Sequence, residues 1–109
     1  MPGTPSAEIT HDANGSRYEI RVDGEVVGHA DYRRRGDVVA FVHTVTDPRV
    51  QGQGLATRLV GHALDDAREQ GLSVQPFCWF VRDHIARNPE YLDLVPAADR
   101  SSFDLPERG

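Results

Sequence analysis

The segment formed by residues 37–46 constrains the fold of this 109-residue chain more than any other part. Its apolar residues occupy both alternating faces of a strand, with Val38 on one face and Val39 on the other. This pattern predicts a central strand covered on both sides. Asp47-Pro48 ends the strand, because proline cannot donate a hydrogen bond to a sheet. The rest of the chain is therefore expected to supply strands and helices around this segment.

Two segments that precede the central strand alternate polar and apolar side chains, which is typical of half-buried strands. The first covers residues 17–22 and the second covers residues 25–32. Asp23-Gly24 between them is a strong signal for a two-residue hairpin, and Gly36 marks the next turn. The three strands are therefore expected to be antiparallel neighbours.

A long amphipathic helix is predicted after the central strand, over residues 54–70, where apolar side chains recur at helical spacing. Gly71 fits the left-handed residue that ends a helix. A short strand over residues 72–75 and a second helix over residues 77–87 are predicted to follow. The order predicts an α/β (α+β) fold with a mixed sheet, in which an antiparallel β-β-β unit precedes a right-handed β-α-β crossover and a C-terminal helix.

Length and composition limit the domain count and the class of protein. The chain suffices for one domain, expected over residues 17–96, between a loose lead-in (1–16) and a polar tail (97–109). No apolar run approaches the roughly 20 residues of a membrane span and no signal peptide is recognisable, so a cytoplasmic protein without membrane contact is expected. The net charge of −5 argues against nucleic acid as a partner. One cysteine and five scattered histidines argue against a metal site.

The turn between the central strand and the long helix carries the most specific signal. Gly52 and Gly54 allow backbone amides to approach a ligand, and the first amides of a helix have no partner within it. Together with the helix dipole they favour an anion such as phosphate, against the alternative of a plain strand-to-helix turn. A P-loop is excluded because the chain contains no lysine. A dinucleotide fold is excluded because Thr57 stands at the place of its third glycine and the chain is too short.

Arg49-x-x-Gly52-x-Gly54 resembles the Arg/Gln-x-x-Gly-x-Gly/Ala signature of the GCN5-related N-acetyltransferases. In that family the loop binds the pyrophosphate of coenzyme A, after a central strand that hydrogen-bonds the pantetheine arm. Over about residues 17–95 the wider pattern resembles the minimal, YjdJ-like branch of the family. The matching elements are His43-Thr44-x-Val, the glycine loop, Leu-Ala at the helix start, Cys78-x-Phe80-Val81 and Pro89-Glu90-Tyr91-x-Asp93-Leu94-Val95. Asn88 departs from the pattern, which has histidine there.

The resemblance implies an acetyl-CoA-dependent N-acetyltransferase whose amine acceptor, a small molecule or a protein, is unknown. A strand amide near Val45 or Thr46 would hold the pantetheine and polarise the thioester carbonyl. Arg49 either pairs with phosphate or covers the loop. The predicted cofactor-binding residues are Val45, Thr46, Arg49, Gln51, Gly52, Gln53, Gly54, Leu55 and Ala56. The alternative is a CoA-binding or protein-interaction module with little or no catalytic activity.

Cys78 and His43 are the candidate catalytic residues. Cys78 follows Pro76, which would place the thiol in the first turn of a helix, where a cysteine gains nucleophilicity. The resembling family carries a cysteine here that is viewed as an acetyl acceptor, and the alternative is a buried small hydrophobic residue. His43 lies in the strand expected to line the pantetheine. It is either a general base or thiol activator, or a hydrogen-bonded core residue.

Overall fold

Five strands form one mixed sheet in the computed structural model, which describes residues 7–106. The strands are β1 (Ala7–Asp12), β2 (Arg17–Val22), β3 (Glu25–Arg35), β4 (Val38–Thr46) and β5 (Ser73–Pro76). The helices are α1 (Leu55–Glu69), α2 (Trp79–Arg87) and α3 (Ala97–Arg100), with 3-10 turns at Pro48–Val50, Pro89–Leu94 and Ser101–Phe103. No helix among the described residues combines the length and the apolar character needed to cross a membrane.

The strands lie in the sheet in the same order as in the chain. Neighbouring strands from β1 to β4 are antiparallel, whereas β4 and β5 are parallel and are joined through α1. Asp23 and Gly24 have φ angles of 52° and 82°, the left-handed pair that a tight type I′ hairpin requires. The predicted mixed sheet, its antiparallel β-β-β unit and its β-α-β crossover are therefore confirmed.

Helix α1 packs its apolar stripe against one face of the sheet, hereafter the core face. Leu59 and Leu64 are fully buried there, beside Ile20 and Phe41 of the sheet. Gly71, with a φ of 70°, ends the helix as predicted, and the Leu72 amide donates to the Ala67 carbonyl over 2.9 Å. Helix α2 extends the same layer, because it packs against α1 and buries Val81 and Ile85. Both helices therefore cover the same side of the sheet.

The opposite side of the sheet, hereafter the open face, has no helical layer among residues 7–106. Val42 and Val45 of β4 are 40% and 37% exposed. The prediction that both faces of β4 are covered is therefore wrong. The physical reason is that α1 and α2 pack on each other as well as on the core face, so neither helix is left to cover the second face.

Both ends of the described chain are more ordered than predicted. β1 pairs with β2 in full register from Ala7 to Asp12, so a loose lead-in is wrong for these residues. Ile9 lies opposite Ile20, and the His11 ring stacks on Tyr18 at 4.2 Å between centroids. At the other end, two buried side chains, Phe103 and Leu105, attach a segment predicted as a polar tail. Residues 1–6 and 107–109 lie outside the described residues, and the domain limits 17–96 stay a prediction.

Candidate functional site

A cleft of about 430 Å³ opens on the core face between β4, the glycine turn and the first residues of α1 and α2. Of the residues predicted to bind a cofactor, the cleft is lined by Thr46, Gln51, Gly52, Gly54, Leu55 and Ala56. Thr44, Trp79 and Phe80 complete the wall on the side of β4 and α2. The structure thus brings most of the predicted binding residues to one place.

The cleft exists because β4 and β5 separate halfway along β4. Their pairing ends at Phe41 opposite Pro76, and the Phe41 carbonyl accepts a last hydrogen bond from the Cys78 amide at 2.9 Å. Beyond this point β4 continues to Thr46, while the other chain turns away into α2. The edge of β4 that faced β5 is therefore open along the cleft.

The pairing of β4 with β3 determines which backbone groups face this open edge. The Asp47 amide donates to the Val27 carbonyl over 2.7 Å, and the register continues with Val45 opposite His29. Alternate residues of an antiparallel strand direct their amides to opposite edges. Val45 is therefore turned toward β3, whereas Thr44 and Thr46 present their amides and carbonyls to the open edge.

Val45 and Thr46 were both predicted to bind the cofactor. With this pairing Thr46 lies at the cleft and Val45 does not. The Val45 side chain lies with that of His29 on the open face. Thr44 lines the cleft and was missed by sequence reasoning. Its position depends on the strand register, which the residue pattern alone does not contain.

The glycine turn places free backbone amides at the other end of the cleft. Gly52 and Gly54 have φ angles of 86° and 75°, which glycine adopts without strain. Gly54 is the N-cap of α1 and offers no side chain to cap it, so the first helical amides, including those of Leu55 and Ala56, have no capping partner. These amides lie at the positive end of the helix dipole, which favours an anion at this end of the cleft. Gln53 is exposed and lies outside the cleft lining.

Arg49 is held away from the cleft by two carboxylates. Its guanidinium lies 2.7 Å from Asp47 Oδ2 and 2.8 Å from Glu25 Oε1. Hydrogen bonds to Asp47 and then to Glu25 raise the pKa of Arg49 above its usual range, and the hydrogen bond from Arg49 lowers the pKa of Asp47. Asp47 also caps the 3-10 turn by accepting from the Arg49 amide at 2.9 Å. Of the two alternatives for Arg49, the contacts favour covering and bracing the loop.

Cys78 lies beneath the cleft, at the point where β4 and β5 separate. It is the N-cap of α2 and precedes the first turn, so the prediction placed it one residue too far into the helix. The side chain is buried, and its thiol donates to the Thr44 hydroxyl at 3.4 Å. Thr44 also lines the cleft, so the thiol contacts the cleft wall through this side chain.

His43 is not brought together with Cys78. Tyr32 pairs with Phe41 and Asp31 pairs with His43, so Val42 is an extra residue, a β-bulge. The bulge shifts the alternation of side chains between the two faces of the sheet by one residue. His43 therefore lies on the open face, whereas Thr44 lies on the core face and contacts Cys78. His43 is exposed. Of the alternatives for His43, the thiol activator and the hydrogen-bonded core residue are therefore wrong, and the general base stays a prediction.

Two aromatic residues at the start of α2 form the rim of the cleft and were missed by sequence reasoning. Trp79 is 67% exposed, and its ring meets Phe80 at 5.9 Å between centroids. Trp79 is the only tryptophan of the chain. The available signal was two adjacent aromatic residues directly after the candidate cysteine, a pattern that also fits simple core packing.

The 3-10 turn over residues 89–94 is fastened to α1 away from the cleft. Tyr91 donates to Asp65 at 2.9 Å, and burial together with this hydrogen bond raises the pKa of Tyr91 to about 12. Arg68 bonds Asp93 at 2.6 Å and lowers its pKa. The side chains of Tyr91 and Asp93 therefore attach this turn to α1. Within residues 7–106 no group of three or more His, Cys, Asp or Glu side chains is placed to hold a metal ion.

Comparison with known proteins gives one matching family and several solved structures of similar fold. A family model described as GCN5-related N-acetyl-transferase matches residues 17–94. A GCN5-like protein from Staphylococcus aureus, solved by NMR, has a TM-score of 0.64 at 21% identity, over 81% of this chain and 86% of that one. No curated protein matches the chain.

Two larger enzymes share part of the fold. The ribosomal-protein-S18-alanine N-acetyltransferase of Escherichia coli gives a TM-score of 0.52 at 22% identity, over 53% of this chain and 38% of that one. N-acetylglutamate synthase from Neisseria gonorrhoeae, solved with coenzyme A and N-acetyl-glutamate, gives 0.50 at 25% identity, over 57% and 16%. The chain therefore spans well under half of either enzyme.

Proposed function

The chain belongs to the GCN5-related N-acetyltransferase family, and from this premise we propose that it transfers an acetyl group from acetyl-CoA to an amine. The cleft is the observation that carries the proposal. It has an anion site at one end, formed by the first amides of α1, and an open strand edge at the other. Coenzyme A presents matching groups in the same order, a pyrophosphate followed by an amide-containing arm.

The pyrophosphate is assigned to the amides of the glycine turn and of Leu55 and Ala56. A chain with a net charge of −5 repels anions at long range, so this binding relies on local dipoles. The pantetheine arm is assigned to the open edge of β4, where the amides and carbonyls of Thr44 and Thr46 are available to pair with its two amides. Trp79 and Phe80 supply the apolar wall along the arm.

The thioester is placed in the gap between β4 and β5, where a backbone amide polarises its carbonyl. The amine approaches from the open face, on which His43 lies. The amine nitrogen attacks the carbonyl carbon and His43 accepts the amine proton. The intermediate then collapses with release of the CoA thiolate, which takes up the proton from His43. The new amide carries the acetyl group, so the reaction balances without a metal ion.

Cys78 is proposed to shape the floor of the gap and not to carry the acetyl group. Its thiol contacts the Thr44 hydroxyl, and no basic side chain among residues 7–106 is placed to activate it. His43, the candidate activator, lies on the opposite face. Direct transfer from acetyl-CoA to the amine is therefore the simpler route through this geometry.

The finer assignments belong to the same proposal. The pattern around Cys78 and over residues 89–95 supports the minimal, YjdJ-like branch of the family. We assign the catalytic domain to residues 17–96, with β1 and the segment 97–106 packed onto it. The cytoplasmic location stays a prediction, and the acceptor is either a small molecule or a protein.

The fluorescence of Trp79 gives a direct test, because this single tryptophan lines the cleft. Titration with acetyl-CoA or CoA is expected to change the emission saturably, while NAD and ATP leave it unchanged. Release of the CoA thiol with a panel of amines then tests catalysis. A response to a nucleotide and to neither CoA species contradicts the proposal. Binding of CoA without thiol release to any amine identifies the alternative, a CoA-binding module.

A further inference from the structure

A second groove, of about 370 Å³, lies on the open face of the sheet. Its floor is formed by Val38 and Ala40 of β4, and its sides by Arg33 and Arg35 of β3 and by Gln75 of β5. Arg33 pairs with Ala40, Arg35 with Val38, and Ala40 with Gln75. Because paired residues of neighbouring strands share a face, all five side chains point to the same side.

The two arginines of this groove differ from the others nearby. Arg33 and Arg35 are exposed. Neither makes an ion pair or hydrogen bond with another residue of the described range 7–106. Arg34 between them lies on the core face and bonds Gln70 at 3.1 Å. Arg33 and Arg35 are two residues apart on one strand face, so their Cα atoms lie about 7 Å apart. Their positive charges repel each other when no counter-ion is bound.

Other arginines of the open face already have carboxylate partners. Arg17 lies 3.2 Å from Asp31, and Arg21 lies 2.9 Å from Glu19. The unpaired cations and the amide of Gln75 therefore form a surface complementary to an anion.

The groove lies on the face of the sheet from which the amine is proposed to approach. Ala40 precedes the bulge residue Val42 by two positions, and Val38 precedes it by four, which correspond to about 7 and 13 Å along an extended strand. Beyond the bulge the same face carries His43. An amine held at the gap between β4 and β5 would thus extend its other end between the two arginines.

We infer that the acetyl acceptor is an amine that carries an anionic group, carboxylate or phosphate, about 7–13 Å from the reacting nitrogen. The inference rests on the proposed function and names its substrate class. Arg33 and Arg35 bind the anion, Gln75 donates a further hydrogen bond, and the apolar floor receives the connecting carbons. The adjacent cleft for coenzyme A lies on the other face, so both substrates are bound at the same time.

Calorimetric titration in the presence of saturating CoA tests this inference. Triglycine, about 10 Å long when extended, is compared with triglycine amide, which has the same amine without the carboxylate. The wild-type protein is expected to bind the acid at least about tenfold more tightly than the amide. An aminoalkyl phosphate of equal length and its uncharged alcohol distinguish phosphate from carboxylate recognition.

The double variant Arg33→Gln/Arg35→Gln should lose the preference for the acid while binding CoA as the wild type does. Arg87→Gln is the matched control, since Arg87 is an exposed arginine of α2 whose contact is with Asp83. Melting temperatures of both variants verify folding. The inference is overturned if wild-type protein binds acid and amide equally, or if the double variant keeps the preference.

Release of the CoA thiol, measured on the same samples, separates the two proposals. Acetyl transfer to amines regardless of their charge would leave the proposed function standing and refute the acceptor class. A preference for the acid, abolished in the double variant, without acetyl transfer to any amine would establish the anion groove and refute the proposed function.

Discussion

Ala56→Asp is the substitution that most sharply separates coenzyme binding from folding. Ala56 lies in the first turn of α1 and lines the cleft at the proposed pyrophosphate site. A carboxylate in the first turn interacts favourably with the helix dipole, by about 0.3–1 kcal/mol. The variant should therefore fold at least as stably as the wild type.

The same carboxylate opposes the coenzyme. At about 5 Å from a doubly charged pyrophosphate, and with the dielectric constant of water, the repulsion is about 1.7 kcal/mol, and partial exclusion of water increases it. The dissociation constant for CoA should therefore rise by about 10- to 100-fold. The effect should weaken with added salt, because the site is open to solvent.

Trp79 fluorescence measures the affinity, and thermal denaturation without ligand measures the stability. Ala86→Asp is the control, because Ala86 is an exposed alanine of α2 outside the cleft. The reasoning predicts weaker CoA binding only in Ala56→Asp, with a melting temperature that is unchanged or higher. Unchanged CoA affinity in a folded Ala56→Asp protein would refute the placement of the pyrophosphate.

Three further predictions concern individual side chains. His43→Gln should lower kcat by about 100-fold or more without changing CoA affinity. The control His62→Gln, on α1, should keep the kcat of the wild type. Equal rates for wild type and His43→Gln would exclude His43 as the base. Cys78→Ser should retain CoA binding. Intact-mass analysis of wild-type protein after incubation with acetyl-CoA should show no acetyl adduct. An adduct found on wild-type protein and absent from Cys78→Ser would instead establish a covalent step at Cys78. Burial lowers the pKa of His84 below its ordinary value of 6.5, so the unfolded chain binds more protons than the folded one and stability falls as the pH drops below that value. His84→Gln should therefore show a smaller loss of melting temperature between about pH 7.5 and pH 5.5 than wild type, and an equal loss would contradict the burial argument.

Most of the sheet could be predicted because its signals are local. Asp23-Gly24 determines a hairpin by its own backbone preferences, and Gly71 ends α1 in the same way. β1 could not be predicted, since Ile9 is its only large aliphatic residue and the surrounding composition suggests a loop. Its order comes from pairing with β2, which is a tertiary effect.

Most residues of the site were predicted from the sequence, but the positions of their side chains were predicted only in part. Val42 is an apolar residue within an apolar strand, so no feature of the pattern marks it as a bulge. That one extra residue moves His43 to the open face and Thr44 to the cleft. The contact of Arg49 with Asp47 is local, but its contact with Glu25 depends on the strand register.

Hydrogen exchange of the β4 amides measured by NMR tests the central claim, coenzyme binding along the open edge, most directly. In the free protein the Thr44 and Thr46 amides face the open edge and should exchange rapidly, whereas Val45 and Asp47 bond to β3 and should be protected. Acetyl-CoA should slow exchange at Thr44 or Thr46 and at the first amides of α1. Rapid exchange at all of these amides with saturating acetyl-CoA would contradict the account.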